Sequence, residues 1–583
     1  MNCPSRTDEP EGTGKNQQPN ALAADLTTRQ DLNGIANKRL LRREAIEGVD
    51  DSVENQSRQT TYCTIPEKGS AVVGAESEHR PVQPPTPMHG RDSAQDRGRG
   101  GDGGDRDPQP PKNWLAELRN TLFTFGKFVG PGFMISVAYI DPGNYATDVS
   151  AGATYKFRLL FIVLMSNIFA IFLQSLCIKL GSVSGLNLAE ACRAFLPKWL
   201  NISLYILAEG AIIATDIAEV IGTAIAINLL IPQIPLVAGC AISIVDVFLI
   251  LMFYPSNGAS VNRLRPFEYF VMALVLGVVV CFCIQLSLIK DTSVGEVFRG
   301  YLPSSAIVQS EGLYQACGIL GATVMPHSLY LGSGIVQPRL KEYDMKAGLH
   351  IPADNATSDD KEPYFPSLSA INSCLKYSVA ELAISLFTFA LFVNSAILIV
   401  AGASLSGNSS AKDADLFGIH DLLSSSLAPA AGTVFALALL LSGISAGIVC
   451  TMAGQMVSEG ALKWRCPPWV RRLITRSISI TPSIIIAGAV GRSGLSAALN
   501  GSQVALSVAL PFISAPLIYF TCRNKFMTVH SHERRSGDEE EEGQEDEGTK
   551  MRNHWITATL AVLVWGVITI MNVANLVLLG MGK

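Results

Sequence analysis

From about residue 113 onward, long apolar runs alternate with short polar loops. A membrane-crossing helix needs about 20 mostly apolar residues to span about 30 Å of hydrocarbon. Eleven stretches meet that requirement, centred near Gly132, Ala170, Thr215, Ser243, Leu276, Thr323, Phe387, Leu440, Ile480, Leu510 and Leu563. The ninth is the weakest, because Thr481, Pro482 and several serines interrupt it. The pattern predicts an all-α membrane protein with 11 transmembrane helices. Residues 1–112 show no sustained apolar period, and positions 98–107 hold only Gly, Arg and Asp. Such a segment cannot bury enough surface to offset chain entropy, so a disordered tail is expected there. The expected division is a tail over 1–112, a ten-helix core over 113–522, an acidic loop over 523–552 and an eleventh helix over 553–583.

Composition sharpens this picture. Charged residues make up 16% of the chain and hydrophobic ones 48%, with a mean hydropathy of +0.29; soluble domains carry about 25% charged residues. A net charge of −5 implies no nucleic-acid partner. Ten of the twelve cysteines lie between Cys177 and Cys522, mostly in apolar stretches and without a CxxC pair. They read as small buried hydrophobes, not as disulfides or a zinc site. The tail has no apolar leader, so the first span is expected to direct insertion.

Loop charge gives an orientation. Arg193 and Lys198, Arg263 and Arg265, Arg339 and Lys341, Arg471 and Arg472, and Arg523 and Lys525 fall in alternate loops, and the intervening loops carry fewer bases. The positive-inside rule then places the amino terminus in the cytoplasm. Residues 537–548, mostly Asp and Glu, read as a solvated cytoplasmic loop. Asn408 opens a glycosylation sequon on the outer side.

Ionisable groups inside membrane spans are expensive and point to function. In the first span, Pro142 and Gly143 should unwind the helix beside Asp141 and Asn144, exposing carbonyls such as that of Ala138. In the sixth, Pro326 separates Met325 from His327, with Gly321 about one turn before. Residues two apart on a helix point about 200° apart, so Met325 is assigned to an ion and His327 to an adjacent polar path. Interrupted helices in corresponding positions of two halves mark a transporter site built on inverted repeats. A thioether favours later transition metals over magnesium or calcium. In the third span, Glu209, Asp216 and Glu219 share one helical face and read as a proton relay, as salt-bridge partners, or as both. Arg471, Arg472 and Arg476 are the candidate bases. Asp246, Glu268 and Glu381 are given no functional role.

The motifs Asp141-Pro-Gly-Asn144 and Met325-Pro-His327 resemble those of the Nramp family of divalent metal:proton symporters, and the fungal Smf-type members in particular. The resemblance runs from about Phe125 to Thr521 and includes Ala214–Gly222, Phe392–Ile397, Arg471–Arg476 and Ser502-Gln-Val504. It implies a LeuT-like 5+5 inverted repeat with helices 1 and 6 unwound. It implies metal ligation by Asp141, Asn144, Met325 and the carbonyls of Ala138 and Ala322, with Gln503 joining in an occluded state. His327, Glu209, Asp216 and Glu219 are similar to the family's proton-pathway positions. One departure stands out: Gly332 replaces a second histidine that many members carry, which puts a two-histidine proton scheme in doubt.

The expected function is import of manganese(II) or iron(II) with protons by alternating access. No cofactor and no enzymatic activity are expected. The partners are the ions, protons and the lipid bilayer, and the tail is a candidate contact for ubiquitin or sorting machinery. Plasma, endosomal and vacuolar membranes all fit. The rivals are a same-fold transporter of another cation and a non-transporting metal sensor.

Overall fold

The computed structural model describes residues 130–245, 261–290, 292–349, 364–406, 415–462, 468–529 and 548–581. The tail over 1–112, most of the acidic run, Asn408 and Asp246 lie outside the described residues.

The first half contains α1 (Pro131–Val137), α2 (Pro142–Tyr155), α3 (Leu160–Ser184), α4 (Leu188–Phe195), α5 (Lys198–Leu230), α6 (Leu236–Ile242) and α7 (Val261–Ser287). The second contains α8 (Ser310–Thr323), α9 (Pro326–Gly334), α10 (Gln337–Lys346), α11 (Leu368–Ser385), α12 (Leu391–Ser404), α13 (Leu416–Ser426), α14 (Pro429–Leu462), α15 (Pro468–Ala489) and α16 (Arg492–Thr521). The last helix is α17 (Trp555–Gly580). Each half opens on a broken helix and continues through further spans, the order a 5+5 repeat requires.

Among the described residues, eight helices are long and apolar enough to cross a membrane. The other three of the eleven expected spans have visible reasons for falling outside that set. The first is split between α1 and α2. The fourth is described only in its first part, α6, and then runs into residues outside the described set. In the ninth, the apolar part of α15 is short, Leu473–Ala489.

Local chemistry sets the helix ends. Gly185 (φ 68°) closes α3 in the left-handed conformation that glycine adopts without a steric penalty. Asn187 and Glu190 form a reciprocal capping box on α4. A π turn, Leu386–Ala390, joins α11 to α12 within the seventh span. Helix α17 buries Ala561, Val564 and Ile568 but leaves Val562, Leu563 and Ile570 exposed. That one-sided pattern suits a peripheral helix facing lipid, anchored where Trp565 Nε1 donates to the Pro511 carbonyl (2.8 Å).

The amino end of α1 is held by a buried clamp. Glu381 of α11 accepts hydrogen bonds from the backbone N–H groups of Gly130 (2.7 Å) and Gly132 (3.1 Å). Its other oxygen pairs with Arg339 of α10 (2.8 Å). One carboxylate thus serves two helix-start donors that have no intrahelical partner, and it neutralises a base. Removing one member of a buried pair costs about 3–5 kcal/mol. Glu381→Ala should therefore lower the thermal unfolding temperature of the detergent-purified protein markedly, and Glu381→Gln should do so less. Wild-type melting of Glu381→Ala would show that the clamp contributes nothing.

Candidate functional site

The first break spans residues 138–141. Asp141, in extended conformation, caps α2 by accepting from the N–H groups of Gly143 (3.0 Å) and Asn144 (3.1 Å). Pro142 has no N–H to offer the carbonyl four residues back, that of Ala138. The neighbouring carbonyls are served by side chains instead. Asn144 Nδ2 and Asn394 Nδ2 both donate to the Tyr139 oxygen (2.9 and 3.1 Å), and Ser442 Oγ donates to that of Ile140 (2.9 Å). Asn144 Nδ2 also donates to Asp141 Oδ1 (2.7 Å). The Oδ1 atoms of Asn144 and Asn394 are buried without a partner.

The second break repeats the logic. Helix α8 ends at Thr323, Val324 and Met325 leave helical geometry, and α9 begins at Pro326. Pro326 deprives the Ala322 carbonyl as Pro142 deprives that of Ala138. The Met325 side chain is fully buried.

Two devices join the breaks. Tyr139 Oη lies 3.0 Å from Ser328 Oγ, and Gln174 Nε2 of α3 donates to both (2.9 Å each). Gln503 of α16 is the other. A Cβ on Gly143 would collide with the Gln503 amide, and a Cβ on Gly321 would collide with its backbone carbonyl. Glycine at 143 and 321 thus lets Gln503 lie between the first break and the second, and its Oε1 has no partner. The two breaks thus carry buried acceptors: one carboxylate, unpaired amide oxygens, two carbonyls that proline deprives of a helical donor, and a thioether. Mixed oxygen and soft sulfur donors suit a divalent transition metal better than calcium or magnesium.

Beside it runs a second polar group. His327 Nδ1 stands 3.4 Å from Thr215 Oγ1 on α5, so His327 turns toward the third span. The next residue, Asp216, forms an ion pair with Arg476 of α15, which also lies 3.7 Å from Glu219 Oε2. Arg476 is 1% exposed, the largest fully buried side chain among the described residues. Cys450 Sγ joins Asp216 and Glu219, with ligand atoms within 4.8 Å of one another. Of the three candidate arginines, Arg476 meets the third-span acids, while the side chains of Arg471 and Arg472 lie outside the described residues. Glu209 stands two turns earlier on α5, half-buried, with Oε2 unpartnered and no ion pair to Arg476 among the described contacts. At Gly332 a Cβ would collide with Gln174 Oε1, so Gln174 fills the space beside that glycine.

Sequence reasoning missed Gln174, Asn394, Ser442 and Ser328. The signal was present, since Gln174 and Asn394 are amides inside otherwise apolar runs. A buried amide needs hydrogen-bond partners, as a buried ionisable group does.

The family model described as Natural resistance-associated macrophage protein-like matches residues 132–535. The manganese transporter SMF1 of Saccharomyces cerevisiae is 52% identical over 502 residues, covering 80% of this chain and 87% of that protein. The iron transporter SMF3 of the same yeast is 55% identical over 410 residues, covering 70% and 84%. Among solved structures, the Eremococcus coleocola manganese transporter in complex with an aromatic bis-isothiourea compound aligns with a TM-score of 0.63 at 30% identity, covering 80% of this chain and 87% of that one.

Proposed function

The chain belongs to the Nramp family, and from that premise we propose that it carries manganese(II) and iron(II), with protons, into the cytosol by alternating access. It is an integral, multi-pass membrane protein. The observation that carries the reading is Gln503 lodged between two unwound segments that present Asp141 and Met325. Asp141, Asn144, Met325, Gln503 and the carbonyls of Ala138 and Ala322 are the proposed ligands. Manganese and iron are the metals named for the yeast relatives.

The acids and bases supply the coupling. His327 leads from the metal ligands to Thr215 and so to the Asp216–Glu219–Arg476 group. A proton leaving Asp141 as the metal binds has this chain of polar groups beside it. Glu209, two turns further along α5, extends the path, and Arg471 and Arg472 precede Arg476 on α15. With Gly332 in place of an imidazole, His327 is the one histidine of this path among the described residues. The amino terminus and the acidic loop are assigned to the cytosol, in a plasma, endosomal or vacuolar membrane. Inward cation movement then gains about 2.3 kcal/mol per charge per 100 mV of negative-inside potential.

Proteoliposome uptake of labelled manganese and iron at two external pH values tests the reading. Uptake should rise when the outside is acid, and a pH-independent rate would remove the proton from the proposal. The soft ligand has its own test. Met325→Ala should retain some manganese uptake but lose discrimination, so that calcium and magnesium compete about tenfold better, a change of about 1.4 kcal/mol. Unchanged selectivity would dismiss the thioether as a ligand.

A further inference from the structure

Six acids are buried among the described residues: Asp141, Asp148, Asp216, Glu219, Asp344 and Glu381. Five have identifiable partners. Asp141 accepts from the start of α2, and Asp216 and Glu219 face Arg476. Asp344 accepts from Tyr364 Oη (2.6 Å) and from Ser367, and Glu381 holds Arg339 and two backbone donors. Asp148 differs from all of them. It is 0% exposed, and neither carboxylate oxygen has a hydrogen-bond partner among the described residues.

Its position on α2 gives that isolation a meaning. Asp148 follows Asn144 by four residues, so it lies one turn on, on the same face and about 6 Å along the axis. Gly152 is a further turn on. Helix α12 covers this face: Asn394 reaches the Tyr139 carbonyl at one end, and Leu398 and Ala401 crowd Gly152 at the other. The face is therefore interior and not lipid-exposed. Of the side chains named on it, Asn144, Asn394 and Asp148 leave Asn144 Oδ1, Asn394 Oδ1 and both Asp148 oxygens unpartnered; the Tyr145 hydroxyl, three residues before Asp148, also lacks a partner. A structural polar network pairs donors with acceptors. Amide oxygens in file, ending in a carboxylate that meets no base among the described residues, are instead arranged for a cation.

We propose that Asp148 is a second ligand station for the divalent metal, which holds the ion one turn along α2 from Asn144 before or after it occupies the central site. This rests on the transport reading above and adds a residue to it. The station binds through oxygen alone, so it contributes capture of the ion and leaves selectivity to Met325.

The test compares Asp148→Asn and Asp148→Glu with the wild type in manganese uptake by proteoliposomes, alongside thermal melting and Asp141→Ala as reference. Asparagine keeps the shape and removes the charge, and removing an uncompensated buried charge should leave the melting temperature equal or higher. KM for manganese should rise about tenfold in Asp148→Asn, with the maximal rate retained, the signature of lost binding that is uniform between ground and transition states. Asp148→Glu should bring KM back toward the wild-type value. A wild-type KM in Asp148→Asn overturns the station, whether or not melting changes. A raised KM in Asp148→Asn that Asp148→Glu fails to restore overturns it too, because a ligand role needs the charge and not the shape. The central reading fails separately, if Asp141→Ala transports normally.

Discussion

Asp141→Ala should reduce manganese uptake to background. Asp141 is the one full negative charge at the break between α1 and α2, fixed in extended geometry as the cap of α2. Two losses add in the variant. On the proposed assignment the metal loses a charged ligand, and losing even an outer partner of a ligand typically costs about 10–100-fold in metal affinity. The first N–H groups of α2 also lose their acceptor, worth about 1 kcal/mol at a helix start. Asp141→Asn separates these, since its amide oxygen still caps the helix but carries no charge. Uptake should be lost in both variants, while melting temperature should fall only in the alanine one. Wild-type uptake by either variant would refute the site.

The second large effect lies at Arg476. This guanidinium is buried between Asp216 and Glu219, with Cys450 beside them. In Arg476→Ala two carboxylates remain buried without their base, at a cost of about 3–5 kcal/mol. Expression and melting temperature should both drop sharply. Asp216→Asn combined with Arg476→Ala should recover part of the loss, because the deficit is the uncompensated charge. The surviving protein should also lose the acceleration of uptake by an acid exterior, if this pair belongs to the proton path. A double variant no more stable than Arg476→Ala would place the defect in lost packing instead.

How far the sequence reaches depends on the range of the interaction. Both broken helices were legible, because Pro142 and Pro326 each remove a donor from a carbonyl four residues back, a purely local effect. So was the one-sided placement of Glu209, Asp216 and Glu219, which follows from helical spacing. The count of spans was less secure where a break, as in the first span, or a run of Ser, Thr and Pro, as in the ninth, shortens the apolar stretch. Glu381, given no role from sequence, proved to clamp the start of α1, since its partners are 251 and 249 residues away.

By itself, then, the chain determined that it crosses the membrane many times, that two of its helices unwind, and which carboxylate and thioether flank the unwinding. Those properties depend on the length of apolar runs and on proline chemistry within a single turn. Only the tertiary structure decided which atoms Gln503 packs against beside the breaks, that Arg476 meets Asp216, and that Asp148 meets no base among the described residues. Such pairings arise where helices distant in sequence pack side by side, and the physical reason is that a buried polar group must find its partner across the bundle or go without.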